Sequence, residues 1–342
     1  MRTISTTRPA PRPTQRLRAA TIALATVGAL LVACGSDDAD EPDAEDSAGD
    51  VDGPTTVTIA EVPGVPTAFL AYGVDLGLFE DEGIDLTIEG GGGSPAVAGV
   101  SSGSVDMAGS NVVSVIMARH QGLPVTMIAP GTFASEEPED DFSAIVATDD
   151  SGIETVADLA GASIAVDQLQ NIGEITIRTS LEESGVDTDT LAYVELGFPT
   201  MEQALRAGDV DAAWIIEPFA TQALAAGGLH VVSYPYAETH PGLQIGSIIT
   251  SEDYAAENPD VVSAFQRAHA ATAAAITDDP EAFRTALVDL TDMDPHVAST
   301  FHLPTWNDAI DMDSLELING QMITFGLLDE EVPLDELVHD AQ

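Results

Sequence analysis

Residues 90–95 read GGGGSP. Gly91, Gly92 and Gly93 let backbone N–H groups approach a ligand with no Cβ in the way. Ser94 and the helix start behind it can then hold an anionic or carbonyl oxygen. Further along, Asn171 and Gly173 open another helix in DQLQNIG (167–173). They either clamp the same ligand from a second helix start or, for Asn171, simply cap that helix. Phe198 in LGFPT and Trp214 in WIIEPF are flat rings at strand ends, placed to stack on a flat ligand or to fill core. Glu217, an acid inside an apolar stretch, is expected to accept a hydrogen bond from a ligand or a hinge. These residue types support holding a molecule more than breaking one.

Composition narrows the choice. The chain of 342 residues carries 58 Asp and Glu against ten arginines and no lysine, a net charge of −48. Such a surface repels nucleic acid and anionic lipid. It suits high salt, where screening weakens self-repulsion, although an Asp-rich coding bias would leave the same mark. A P-loop needs a lysine and has none here. A formal G-x-G-x-x-A at Gly91, Gly93 and Ala96 lacks the acid that a dinucleotide site places at the end of a second strand, since Asp106 comes too early. The seven histidines form no i, i+4 pair for zinc. No cofactor and no metal are expected. Five arginines, Arg119, Arg178, Arg206, Arg267 and Arg284, all fall in helical patterns away from the loops above. No guanidinium is placed to grip a sulfonate or phosphonate, so a neutral or cationic ligand is at least as plausible as an anion.

These residues need elements to position them. TTVTIAEV (55–62) alternates as a strand. Phe69, Tyr72, Leu76 and Phe79 share a helical stripe that Gly83 should end. IDLTIE is a strand, Ser94 is expected to cap the next helix with Pro95 in its first turn, and SVDMAGS is a short strand. The same order returns in residues 162–216. Two joints repeat with it: acid-x-Gly-[Ile/Val]-Asp at Gly83 and Gly185, and Gly-x-Val-Asp-x-Ala at Gly103 and Gly208. Two β-α-β-α-β units built alike predict two lobes with parallel-rich sheets flanked by helices. The chain should cross to the second lobe within 142–150 and return within 229–238, making a two-strand hinge. Lobe one is then 55–142 with 239–342, and lobe two is 143–238. The C-terminal helices are expected on lobe one.

Ligands of open α/β sheets sit beyond the carboxyl ends of strands. That rule selects Val65 and Thr67 in EVPGVPT, Gly92, Gly93 and Ser94 in the glycine run, Ser110 and Asn111 in GSN, and Thr132 in PGTF. From lobe two it selects Asn171, Gly173, Phe198, Trp214 and Glu217. Trp306 is a further candidate at the rim.

GVDLGLFEDEGIDLTI, VSSGSVDMAGS, DDSGIETVADLAGASIAV and ALRAGDVDAAWIIEPF resemble the nitrate/sulfonate/taurine-type substrate-binding proteins of ABC importers, within the thiamine-pyrimidine-binding-like superfamily. The likeness runs over residues 55–224 and more loosely beyond. It implies an α/β, two-lobed periplasmic-binding-protein-like fold of type II. It also implies a monomer that captures a small organic molecule (a sulfonate, aromatic acid, pyrimidine or similar) and delivers it to a permease with its ATPase. The thiamine-pyrimidine synthase relatives of this fold use a cysteine-rich motif that is absent here, so an enzyme on the same fold is the weaker alternative. A lipid-anchored sensor or scaffold is another.

The N-terminus points the same way. Basic residues from Arg2 to Arg18 precede an apolar run, AATIALATVGALLVA (19–33), too short to span a bilayer. LVAC resembles the bacterial lipobox, which makes Cys34 the lipidated first residue of the exported protein. Residues 1–33 are then a lipoprotein signal peptide. Residues 34–54, rich in acid and poor in apolar side chains, form a disordered tether on the outer face of the cell membrane. Cys34 is the only cysteine, so no disulfide can form.

Overall fold

Val57 and Ile59 are fully buried, and the strand that carries them ends in three buried residues. That pattern belongs to a strand flanked on both sides, and β1 (Thr55–Glu61) is one. A computed structural model describes residues 53–339. The signal segment, Cys34 and all of the tether up to residue 52 lie outside the described residues.

The first sheet joins β1 to β2 (Ile84–Gly90), β3 (Met107–Asn111), β4 (Val125–Pro130) and the late β10 (Gly246–Ser251), in the order β2-β1-β3-β10-β4. The second holds β5 (Ser143–Thr148), β6 (Ser163–Val166), β7 (Ala192–Glu195), β8 (Ala212–Ile216) and β9 (Leu229–Ser233), in the order β7-β6-β8-β5-β9. Each sheet has three parallel strands followed by an antiparallel one, β10 in the first and β5 in the second. Each sheet is therefore mixed but parallel-rich, with one reversed strand among four that run the same way. The physical reason is the crossing itself: the first strand after each passage enters its sheet from the opposite direction.

The repeated Gly-x-Val-Asp joint has one job in both sheets. Asp106 Oδ2 accepts from the Thr58 N–H at 2.8 Å, and Asp211 Oδ2 accepts from the Ser163 N–H at 2.8 Å. In each lobe the two residues are 48 apart in sequence. An aspartate just before one strand thus holds the backbone of its neighbour, in mid-strand at Thr58 and at the strand start at Ser163.

The passages between sheets pair with each other. The Ala134 N–H donates to Leu243 O and the Ile245 N–H to Thr132 O, both at 2.8 Å. A third segment backs them, with Phe133 and Thr305 exchanging backbone bonds at 2.9 and 3.1 Å. Asp141 ties both passages together, accepting from the Phe142 N–H at 3.0 Å and the Ala237 N–H at 3.2 Å. Burial pushes its carboxyl up to about 7 despite those bonds.

Two helical expectations change. The stripe from Phe69 to Phe79 is split at Gly77, which has a φ of 76°, into helices Val65–Asp75 and Leu78–Asp81. Helix Pro259–Asp278 covers the first sheet and buries Phe265, and helix Pro280–Thr291 packs on it and on Val65–Asp75, burying Phe283 and Leu287. The last long helix, Met312–Thr324, does not stay on lobe one. It buries Leu315, Ile318 and Met322 against both the helix Val112–His120 and the helix Ile172–Glu183 of the second lobe. One apolar core therefore runs through both lobes on that side.

Candidate functional site

Between the two sheets lies a cavity of about 350 Å³. Glu61, Ser110 and Ser247 reach it from the ends of β1, β3 and β10, and Asp167 and Trp214 from lobe two. Ser110 and Ser247 are direct partners across the β3–β10 pair, so their hydroxyls stand on the same face. Both Oγ atoms are buried and have no hydrogen-bond partner among the described residues. The same holds for Trp214 Nε1 and Asp167 Oδ1. Leaving a buried polar atom unpaired costs about 1–3 kcal/mol, so four around one cavity mark a surface shaped for something that satisfies them.

Two close approaches fix the walls. A Cβ on Gly173 would lie 2.5 Å from Trp214 Cζ3 and 2.7 Å from its Cε3. Only glycine lets the helix Ile172–Glu183 rest on the benzo edge of that indole, which turns the N–H edge away from the helix. The ring is further held by Phe198 and Tyr236, with centroids 5.6 and 5.5 Å away. On the other side, a Cβ on Gly109 would fall 2.0 Å from Glu61 Oε2, so the Glu61 carboxylate lies directly over that glycine.

The cavity is acidic and poorly solvated. Burial pushes Glu61 up to about 7, opposed by a single bond from the Val62 N–H at 2.7 Å. Burial likewise raises Asp167 to about 6, opposed by the backbone N–H groups of Gln168 and of Asp167 itself, with a smaller upward push from the Glu195 charge. Glu217 is also raised by burial, but it is occupied. Its carboxylate accepts from the Thr221 N–H at 2.9 Å and the Thr221 hydroxyl at 2.8 Å, and the His302 N–H approaches at 3.4 Å. His269 also lines the cavity, and burial lowers it to about 4, which keeps it neutral.

No described arginine reaches this lining. Arg119 is paired with Glu252, Arg178 with Asp189 at 3.3 Å, Arg206 with Glu202 at 2.8 Å and Arg267 with Glu82 at 2.7 Å. Arg284 donates to the Ala298 and Phe301 carbonyls at 3.0 and 2.8 Å.

Of the residues expected from sequence, Val65, Gly92, Gly93, Ser94, Ser110, Asn111, Thr132, Phe198, Trp214, Glu217 and the rim residue Trp306 all line the cavity. Thr67, Asn171 and Gly173 do not. The Thr67 hydroxyl is turned back to the Val62 carbonyl at 2.7 Å. Gly173 serves as the seat of Trp214. Ser94 also departs from expectation, because Gly93 with a φ of 83° takes the cap position and Ser94 becomes the first helical residue. Its hydroxyl is thereby released to bond elsewhere.

It bonds across the lobes. Ser94 Oγ is 2.7 Å from Ser114 Oγ and donates to Gln168 Oε1 at 2.9 Å. Asn171 Oδ1 accepts from the Ile172 N–H at 2.6 Å, and its Nδ2 donates to Gln168 Oε1 at 2.8 Å and to Ser114 Oγ at 3.2 Å. The two helix starts thus meet through their own side chains, beside the cavity, and no ligand is needed between them.

Sequence reasoning missed Phe69, Phe142, Tyr236, Ser247 and His269, while Glu61 and Asp167 open two of the loops it selected, EVPGVPT and DQLQNIG, without being singled out. Glu61 and Asp167 carried a signal: each is an acid closing an otherwise apolar strand run, AEV and IAVD. Ser247 and His269 carried none, since their places depend on which strand and helix the return crossing brings in.

A model of the NMT1/THI5-like family matches residues 67–283, well over half of the chain. The chain belongs to that family. Among curated proteins none matches it. Solved structures share the fold of this NMT1/THI5-like protein at low identity. The periplasmic aliphatic sulphonate-binding protein SsuA from Escherichia coli is 18% identical, with a TM-score of 0.70 over 85% of this chain and 94% of that one. The alkanesulfonate-binding protein SsuA from Xanthomonas axonopodis pv. citri, bound to MOPS, is 18% identical with a TM-score of 0.70, covering 84% and 99%. A Candida albicans gene product with the generic periplasmic binding protein fold is 13% identical with a TM-score of 0.66, covering 84% and 97%. The two mixed sheets of the NMT1/THI5-like chain and its cleft are thus an α/β, two-lobed periplasmic-binding-protein fold.

Proposed function

We propose that this NMT1/THI5-like protein is the extracytoplasmic solute-binding component of an ABC importer. It captures one small organic molecule in the cleft between its lobes and hands it to a permease with its ATPase. The observation that carries this reading is the interlobe cavity with four buried, unpartnered polar atoms among aromatic rings. Val65, Gly92, Gly93, Ser94, Ser110, Asn111, Thr132, Phe198, Trp214 and Glu217 are the proposed lining contacts, joined by Glu61, Asp167 and Ser247. Capture without chemistry suits a wall built mainly of rings, glycines and hydroxyls. Structural neighbours described as sulfonate-binding proteins support the class of function.

The lobes are taken as 55–142 with 239–342, and 143–238. The protein acts as a monomer tethered to the outer face of the cell membrane by a lipid on Cys34, with residues 34–54 as the leash. A thermal-shift screen of the full-length protein against sulfonates, aromatic acids, pyrimidines, flavins and nitrate tests the reading. Stabilisation by one class, lost in Trp214→Ala, supports it. A protein that no class stabilises would not be a solute receptor.

A further inference from the structure

Resting on the solute-binding reading, we propose that the cleft takes a flat nitrogen compound bearing a positive charge or a cluster of N–H donors, such as an aryl amidine, and not a sulfonate. Three observations converge. The first is charge: Glu61 and Asp167 line the cavity from opposite lobes, and every described arginine is engaged elsewhere. An anion would enter a low-dielectric space already holding carboxyl groups, with no cation to meet it.

The second is what the pocket leaves unpaired. Among the described residues, Asp167 Oδ1 is buried and accepts no hydrogen bond, and Glu61 accepts only the Val62 N–H. Ser110 Oγ and Ser247 Oγ, side by side on β3 and β10, are unpartnered at 5% and 1% exposure. The two serine hydroxyls can each donate or accept and Trp214 Nε1–H only donates, but the two carboxylates, once ionised, only accept, so what complements them is a donor. Burial that raises both carboxyls also means a bound cation would be favoured in returning them to the ionised form.

The third is shape. Phe69 and Trp306 lie nearly parallel with centroids 5.2 Å apart at one end of the cavity, and Trp214 closes the other lobe. Rings of this kind attract a delocalised cation through their faces and bury a flat body. Glu217, already filled by Thr221, is not the recognition carboxylate.

The test uses three probes with one body and different heads: benzamidine, benzenesulfonate and benzyl alcohol, each titrated calorimetrically into the full-length protein. The expected result is binding of benzamidine with benzenesulfonate silent. Glu61→Gln and, separately, Asp167→Asn should each weaken benzamidine about tenfold or more. Two variants from different lobes guard against one failing to fold, and each is checked by its melting temperature. Benzenesulfonate binding with benzamidine silent overturns the proposal while the solute-binding reading stands. Silence of all three probes overturns the proposal as well, and the solute-binding reading falls with it only if the broader screen is also silent. Benzamidine binding that is unchanged in both variants overturns it too, since the carboxylates would then not be the recognition groups.

Discussion

The Ser94 hydroxyl of lobe one and the Gln168 side chain of lobe two meet at 2.9 Å, with Asn171 sharing the same amide oxygen at 2.8 Å. The Ser94 bond crosses between the lobes, the Asn171 bond fixes Gln168 from within lobe two, and Asn171 Nδ2 makes a second crossing to Ser114 Oγ at 3.2 Å. Each is worth about 1 kcal/mol net. Gln168→Ala should therefore shift the ligand-free protein toward an open form. Small-angle scattering should show a larger radius of gyration, and ligand affinity should fall several-fold. An unchanged scattering curve would remove the latch.

Gly173 and Trp214 are in contact that admits no side chain, with the ring at 2.5 Å from the Cβ position. The neighbour that must yield is a fully buried indole between Phe198 and Tyr236, not the loose end of a flexible chain. Gly173→Ala is expected to cost about 1–3 kcal/mol. Its melting temperature should drop by several degrees, and its tryptophan emission should move as Trp214 is displaced. A variant as stable as the parent would mean the helix start can slide.

Stability should fall as pH rises through about 4 to 7. Glu61 and Asp141 sit near 7 and Asp167 near 6 in the folded protein, each above its ordinary value because of burial, and Glu217 moves the same way. In that window the folded chain binds more protons than the unfolded one, so deprotonation disfavours folding. His269 acts oppositely: held near 4, it gives stability that rises with pH between 4 and 6.5. Four carboxyls outweigh one imidazole, and self-repulsion of the acidic surface adds to them. Melting curves should show a higher midpoint at pH 5 than at pH 8, and Asp141→Asn should flatten the slope. A midpoint that rises across this range would contradict the assignment.

Cys34→Ser should release the protein from membranes into the soluble fraction, because a single amphiphilic tether through acidic sequence offers no other hold on anionic lipid. Fractionation of cells expressing each form reads this directly. A serine variant still sedimenting with membranes would refute the anchor.

Much of the fold was legible because local rules carried it. The apolar alternation of TTVTIAE, the glycine stops and the repeated Gly-x-Val-Asp joints specify two like units, and Asp106 and Asp211 show why the joint is repeated. The mixed sheets were not legible, since β10 and β5 take their direction from crossings that no local pattern encodes. The same gap explains the site. Loops at strand ends named Ser94, Ser110 and Trp214 correctly as lining residues. Asn171 stands outside the lining because its amide bonds to Gln168 and, across a long stretch of sequence, to Ser114.

Sequence alone determined what the chain contains: no lysine, one cysteine placed at the end of an apolar run, five of its ten arginines before residue 19 and the other five in helical patterns, and two repeated units. Only the tertiary structure decided which of its 58 acids matter to the cleft. Glu61 and Asp167 differ from the others not in type but in being shut away from water with too few donors, and burial is a property of the assembled lobes.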